Sequence, residues 1–104
     1  MPPPIHYLLI YELADDYMQR RGEDGGEHVQ LLKEAQARGE LMIGGALIEP
    51  VDQGLYLFKG DSPAVAEQFA QRDSYVRRGL VKSWKVRRWM TVAGDPAAVP
   101  ARPG

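Results

Sequence analysis

The chain reads as an α+β domain, one antiparallel sheet with two helices laid on one of its faces. Three observations carry that reading. Several short runs rich in aromatic and branched residues have the length of strands. Two stretches repeat apolar residues at helical spacing. They follow one another as β-α-β-β-α-β, the order of a split βαβ or ferredoxin-like sandwich. A chain of 104 residues has room for one such domain and one core.

The elements can be justified in turn. Residues 1–4 are a proline-rich lead-in, and Ile5 to Glu12 (IHYLLIYE) read as the first strand. Residues 14–21 could form a short helix before the breaker cluster Gly22 to Gly26. Glu27 to Arg38 carry a helical period, and Gly39 stands where a helix ends. Leu41 to Ile48 form a second strand softened by Gly44-Gly45, and residues 49–52 turn the chain into a third, Gln53 to Lys59. Ser62 and Pro63 open the next helix, the hydroxyl as a cap and the proline at a position that needs no N–H. That helix runs to about Arg72, with a further turn over 75–78 closed by Gly79. Val81 to Val92 form the last strand. The domain is thus residues 1–92, and the Pro/Ala/Gly-rich residues 93–104 are expected to be a disordered tail.

The strands do not alternate as a half-covered sheet should. Ile5, Tyr7, Leu9 and Tyr11 fall on one face of the first strand, and Leu8 and Ile10 on the other. Leu55 and Leu57 oppose Tyr56 and Phe58 in the third. Two helices cover only one face, so a second copy packing sheet on sheet is the economical cover. A tail folded back over the sheet is the alternative.

Composition excludes several classes. The net charge is −1 and the pI about 6.1, without the basic excess of a nucleic-acid surface. The basic residues Arg77, Arg78, Lys82, Lys85, Arg87 and Arg88 face several ways, with Trp84 and Trp89 on opposite faces of the last strand, as on a solvated edge. No cysteine is present, which excludes disulfides and thiolate chemistry. His6 and His28 are the only histidines and show no metal-ligand spacing, so no metal and no cofactor are expected. No apolar run approaches the ~18 residues of a membrane span, and no signal-peptide pattern is seen, so the expectation is a cytoplasmic protein that binds neither membrane nor nucleic acid.

Two polar residues stand where apolar ones belong. His28 heads the stripe Leu31, Leu32, Ala35, and Asp73 ends the stripe Ala66, Phe69, Ala70. Burying either without a partner costs roughly 2–7 kcal/mol. In the predicted fold the two helices run antiparallel, so the start of the first lies beside the end of the second. His28 and Asp73 then become neighbours and form the simplest general acid–base device. The carboxylate would accept one ring N–H and fix the tautomer, leaving the other nitrogen for proton transfer in a pocket between helices and sheet. The plain structural alternatives are an Asp73 that caps the following turn and a core histidine with a satisfied ring. Tyr7, Tyr11 and Tyr56 are candidate polar handles or core aromatics, and His6 reads as a simple strand residue. Gly44 and Gly45 would let backbone approach a ligand, or mark a bulge.

Taken in order, several segments resemble the YciI-like (YCII-related) family. They are Tyr11-Glu12 closing the first strand, His28-Val29-Gln30-Leu31-Leu32, Gly39-Glu40-Leu41 leading to Gly44-Gly45, and Gly54-Leu55-Tyr56-Leu57-Phe58. Ser62, Asp73-Ser74-Tyr75-Val76 with Gly79-Leu80, and Trp84 to Trp89 complete the set. The resemblance covers most of residues 5–92 and implies a dimeric α+β barrel with a His–Asp active site at His28 and Asp73. It also implies kinship with muconolactone isomerases and with dehalogenase-type activity on chlorinated rings. The family often has Arg-Pro before the histidine, where this chain has Gly26-Glu27; Arg20 or Arg21 could then supply the anion contact. Its Asp-Pro-Tyr is here Asp73-Ser74-Tyr75, which keeps the carboxylate. The resulting expectation is a cofactor-free lyase, isomerase or dehalogenase acting on a small organic acid or lactone, with Tyr11, Arg21, Gly44 and Gly45 as weaker binding residues. The competing expectations are a non-catalytic homodimeric module for a small molecule or partner, and a cofactor-free oxygenase.

Overall fold

A computed structural model describes residues 5–94 and residue 97. The elements are β1 (Ile5–Leu13), α1 (Tyr17–Arg20), a 3-10 turn (Arg21–Asp24), α2 (Glu27–Ala37), β2 (Leu41–Ala46), β3 (Gln53–Gly60), α3 (Ala64–Arg72), α4 (Ser74–Arg77) and β4 (Val81–Trp89). The four strands form one sheet in the order β2-β3-β1-β4, with every neighbouring pair antiparallel. This is the ferredoxin-like α+β arrangement expected from the element order.

Register decides which residues face the helices. Tyr7 pairs with Phe58, Leu9 with Tyr56 and Tyr11 with Gly54, so odd positions of β1 and even positions of β3 share a face. Tyr7, Leu9, Tyr11, Leu13, Tyr56 and Phe58 are buried there against Ala35, Ala66, Phe69 and Ala70. Alanines on the inner faces of α2 and α3 leave the depth that four large aromatic rings fill.

The opposite face carries Leu8, Ile10, Leu55 and Leu57 with Ile43 and Trp89. In the single chain Ile43 is 70% exposed and Trp89 47%. All of these but Ile10 line an apolar cleft of about 320 Å³ together with Gly44, Gly45, Ala46 and Leu47.

Several boundaries differ from the sequence expectation. The first helical segment is one α-turn followed by a 3-10 turn, and the latter runs into the glycine cluster where only a break was expected. Gly25 and Gly26, both at positive φ, then reset the chain for α2. β2 stops at Ala46, not Ile48, because Leu47 donates its amide to the Gln53 carbonyl and the chain turns through Glu49 at φ 61. β4 ends at Trp89, not Val92, because the following segment turns toward His6, whose Nδ1 bonds the Thr91 hydroxyl. Ser62 does accept the Ala64 amide at 3.2 Å, with Pro63 just before the first helical residue.

His6 is therefore more than a strand residue. It is 1% exposed and lies, with Leu57, Trp89 and Thr91 to Ala93, around a cavity of about 290 Å³ that Ala97 also lines. The chain after β4 thus returns over this corner of the open face. The rest of the expected tail, residues 95, 96 and 98–104, lies outside the described residues.

Burial, and then the Lys59 charge, hold the His6 imidazole below its ordinary 6.5. The unfolded chain takes up a proton near 6.5 and the folded chain only at lower pH. Stability is then full above about pH 6.5 and falls as pH drops through the folded value. A His6→Gln variant is expected to flatten the slope of the denaturation midpoint between about pH 7.5 and pH 5.

Candidate active site

The site forms where the start of α2 meets the junction of α3 and α4. α3 ends at Asp73, whose extended backbone (φ −71, ψ 128) turns the chain into α4. Its Oδ1 accepts the Tyr75 amide at 3.1 Å, so Asp73 does cap the following turn. The same carboxylate reaches His28 Nδ1, with Oδ1 at 2.9 Å and Oδ2 at 2.8 Å. Capping and pairing with histidine are held by one side chain at once.

A third donor completes the shell. Tyr11, projecting from β1 onto the helix side, gives its hydroxyl hydrogen to Asp73 Oδ2 at 2.7 Å. Burial first, and then the Asp73 charge and hydrogen bond, push the Tyr11 phenol far above its ordinary value. It therefore stays protonated and acts as a donor. Asp73 is fully buried and faces three donors, Tyr11 Oη–H, Tyr75 N–H and the His28 ring, so it serves as a carboxylate acceptor. An acceptor on Nδ1 requires the proton to be there, which leaves Nε2 as the basic nitrogen of the neutral ring.

The His28 ring is fixed on its other sides too. Tyr75 stacks on it with centroids 3.9 Å apart and planes 9° apart. Such a stack favours an imidazolium over a neutral ring through cation–π attraction. Burial, followed by the neighbouring Tyr17, pushes the Tyr75 phenol up to about 12. Nε2 faces the Tyr56 hydroxyl at 3.4 Å, the contact standing where open pocket space was expected. His28 is 5% exposed.

The backbone that carries His28 is anchored by Asp24, which accepts the His28 amide at 2.7 Å through Oδ2. Burial pushes the Asp24 carboxyl up, but the His28 amide, Ser74, Arg78 and the His28 ring outweigh it, so its net displacement is downward. Asp24 therefore contributes stability that is present above its ordinary 3.8 and is lost as pH falls through its lower folded value. Outside this layer, Arg77 and Arg78 both pair with Glu27 and tie α4 to α2. These pairs are half-exposed, so they align the helix ends more than they stabilise them.

The weaker expected residues separate from this centre. Tyr11 belongs to it. Gly44 and Gly45 lie on the edge strand β2, and Gly44 gives way to Tyr56: a Cβ there would come within 2.5 Å of Tyr56 Cδ1. Gly44→Ala is expected to cost about 1–3 kcal/mol by overpacking, read as a lowered melting temperature, because the buried ring must shift against its neighbours. Arg21 is exposed in the 3-10 turn; Arg20 is the one that reaches across, to the Arg78 carbonyl at 2.8 Å. Sequence reasoning missed Asp24 and gave Tyr75 no role. An acid four residues ahead of His28, at a helix start, was the available signal for Asp24. The Asp-x-Tyr spacing alone carried no sign of the ring stack.

Among the described residues no group of three His, Asp or Glu side chains could hold a metal. No helix among the described residues is long and apolar enough to cross a membrane.

Comparison with solved structures places the fold among known proteins. The chain is similar to 5-chloro-2-hydroxyhydroquinone dehydrochlorinase of Burkholderia phenoliruptrix, solved with 2,5-dihydroxybenzoquinone, at a TM-score of 0.70 and 17% identity over 83% of this chain and 94% of that one. It is also similar to a NIPSNAP family protein of Agrobacterium tumefaciens, at a TM-score of 0.57 and 17% identity over 92% of each chain. The protein PA3566 of Pseudomonas aeruginosa matches at a TM-score of 0.59 and 12% identity over 89% of this chain and 98% of that one. No curated protein matches in sequence. Residues 5–90 match the YCII-related domain, nearly the whole described chain, and the protein belongs to that family.

Proposed function

We propose that the protein is a cofactor-free acid–base enzyme in which His28 moves a proton and Asp73 holds the imidazolium. The reaction is an elimination or isomerisation on a small, acidic, oxygenated ring or organic acid. The observation that carries this reading is the buried Asp73 carboxylate, held by Tyr11 and Tyr75 and aimed at His28 Nδ1 at 2.8 Å. A carboxylate so placed fixes the tautomer and compensates the charge that His28 gains when Nε2 accepts a proton. The Tyr75 stack adds to that compensation. The dehydrochlorinase likeness supports a substrate that loses a proton from carbon or hydroxyl while chloride leaves with the bonding pair. Such a loss of HCl needs no oxidant.

The test is chloride release from 5-chloro-2-hydroxyhydroquinone as probe, followed with wild type and His28→Asn. Turnover that His28→Asn abolishes supports the reading. No turnover, or turnover indifferent to His28, would sink it.

One observation favours a non-catalytic reading: His28 is 5% exposed and its ring is held on several sides, as a core-stabilising network also would be. That reading expects His28→Asn to lower the melting temperature with no activity to lose.

The working unit in this proposal is a homodimer joined through the apolar sheet face that carries Ile43 and Trp89. Sedimentation is expected to give twice the 11.6 kDa chain mass, and Ile43→Asp with Trp89→Lys is expected to give the single mass.

A further inference from the structure

The basic nitrogen of His28 does not stand open. The structure seats one hydroxyl on it, that of Tyr56, at 3.4 Å. We infer that Tyr56 is a second catalytic residue, the group that meets the substrate and relays its proton to His28. The inference rests on the proposed base role of His28.

Four observations support it. First, the ring is placed by design of the backbone and not by chance packing. Tyr56 lies on β3 between two glycines, Gly54 on its own strand and Gly44 across on β2. A Cβ at Gly44 would fall 2.5 Å from Tyr56 Cδ1, and one at Gly54 3.1 Å from Cε2 and from the hydroxyl oxygen. The ring occupies the space that two side chains would need. Second, Nδ1 and one face of the His28 ring are taken. Asp73 holds Nδ1 and Tyr75 covers a ring face, which leaves Nε2 and its Tyr56 neighbour as the reactive edge. Third, burial, and then the Asp73 charge, push the Tyr56 phenol well above its ordinary value. It is a hydroxyl at rest, able to donate to Nε2 and unwilling to persist as phenolate. Fourth, the hydroxyl stands within hydrogen-bond reach of Nε2 at 3.4 Å, a long contact that substrate binding can shorten.

The relay balances. A substrate C–H or O–H bond breaks and its proton forms a new bond to Tyr56 Oη. The hydrogen already on Oη passes to His28 Nε2, so the phenol stays neutral and the imidazolium sits on Asp73. The electron pair left on the substrate forms its new double bond, and the leaving group departs with its own pair. The proton on Nε2 returns to solvent by the same hydroxyl.

Tyr56→Phe removes one oxygen and keeps the ring between its glycines. It is expected to slow turnover of 5-chloro-2-hydroxyhydroquinone by about 10²-fold, mainly in kcat. It is also expected to move the His28 Nε2 signal in the ¹⁵N spectrum of the free protein, which holds only two histidines. Gly44→Ala, which displaces the ring but keeps the hydroxyl, should move the same signal and slow the same step. Wild-type turnover lost in His28→Asn but intact in Tyr56→Phe overturns the relay alone. Absent wild-type turnover, or turnover that survives His28→Asn, overturns the base reading and the relay with it. An Nε2 signal unmoved by Tyr56→Phe overturns the contact itself.

Discussion

His28→Ala is expected to reduce turnover of an acidic ring substrate by about 10²–10⁴-fold, the usual worth of a positioned general base. Its effect on stability should be the smaller one. The substitution removes the ring that Tyr75 stacks on, and leaves Asp73 with two donors in place of three. Asp73 remains paired to Tyr11 and capped onto α4, so the helix junction survives. The measurement is kcat/KM beside a thermal melt on the same preparation. A large loss of turnover with a modest shift in melting temperature marks His28 as chemistry. Loss of the fold alone marks it as core.

Asp73→Ala should cost stability as well as turnover, and the stability loss should be large. Three donors from three segments, the Tyr11 hydroxyl, the His28 ring and the Tyr75 amide, would lose one acceptor inside the buried core. Breaking a buried charge network from one side costs about 3–5 kcal/mol. For a domain of this size that is a fall of more than about 12 °C in melting temperature. Asp73→Asn separates the two roles. It keeps volume and one acceptor oxygen but brings an N–H₂ toward groups that already donate. His28 relieves the clash by moving its ring proton to Nε2, which then cannot accept another. Asn is thus expected to cost little more than about 1–3 kcal/mol of stability while losing about 10²–10⁴-fold in turnover.

How far the amino-acid sequence foretold this site depends on the length scale. The stripes headed by His28 and ended by Asp73 located the two residues, because helical spacing and antiparallel helices are properties of the whole element. The odd positions of β1 grouped Tyr11 with Tyr7 and Leu9 on one face, and the structure shows that face to be the one beneath the helices. What escaped was set by single rotamers and single turns. Asp24 reaches the His28 amide only because Gly25 and Gly26 adopt positive φ. Tyr75 lies flat on His28 only because Asp73 caps α4 with an extended backbone. The pair Gly44-Gly45 was readable as room for something close by; that the occupant near Gly44 is Tyr56 follows from register between β2 and β3. The return of the chain over His6 includes a side-chain bond between His6 and Thr91 that no spacing in the sequence announces.

The Asp73 carboxylate has a meaning for how the protein comes into being. Its partners lie 62 residues away at Tyr11, 45 away at His28 and two away at Tyr75. No local fragment holds all three, so the constellation cannot assemble before β1, α2 and the α3–α4 junction have docked. A kinetic trace of the Tyr11–Asp73 contact during refolding should therefore report a late event, arriving with the last of the native signal. The carboxylate thus registers the docking of three distant segments, and only a chain that has brought β1, α2 and the α3–α4 junction together acquires the site at all.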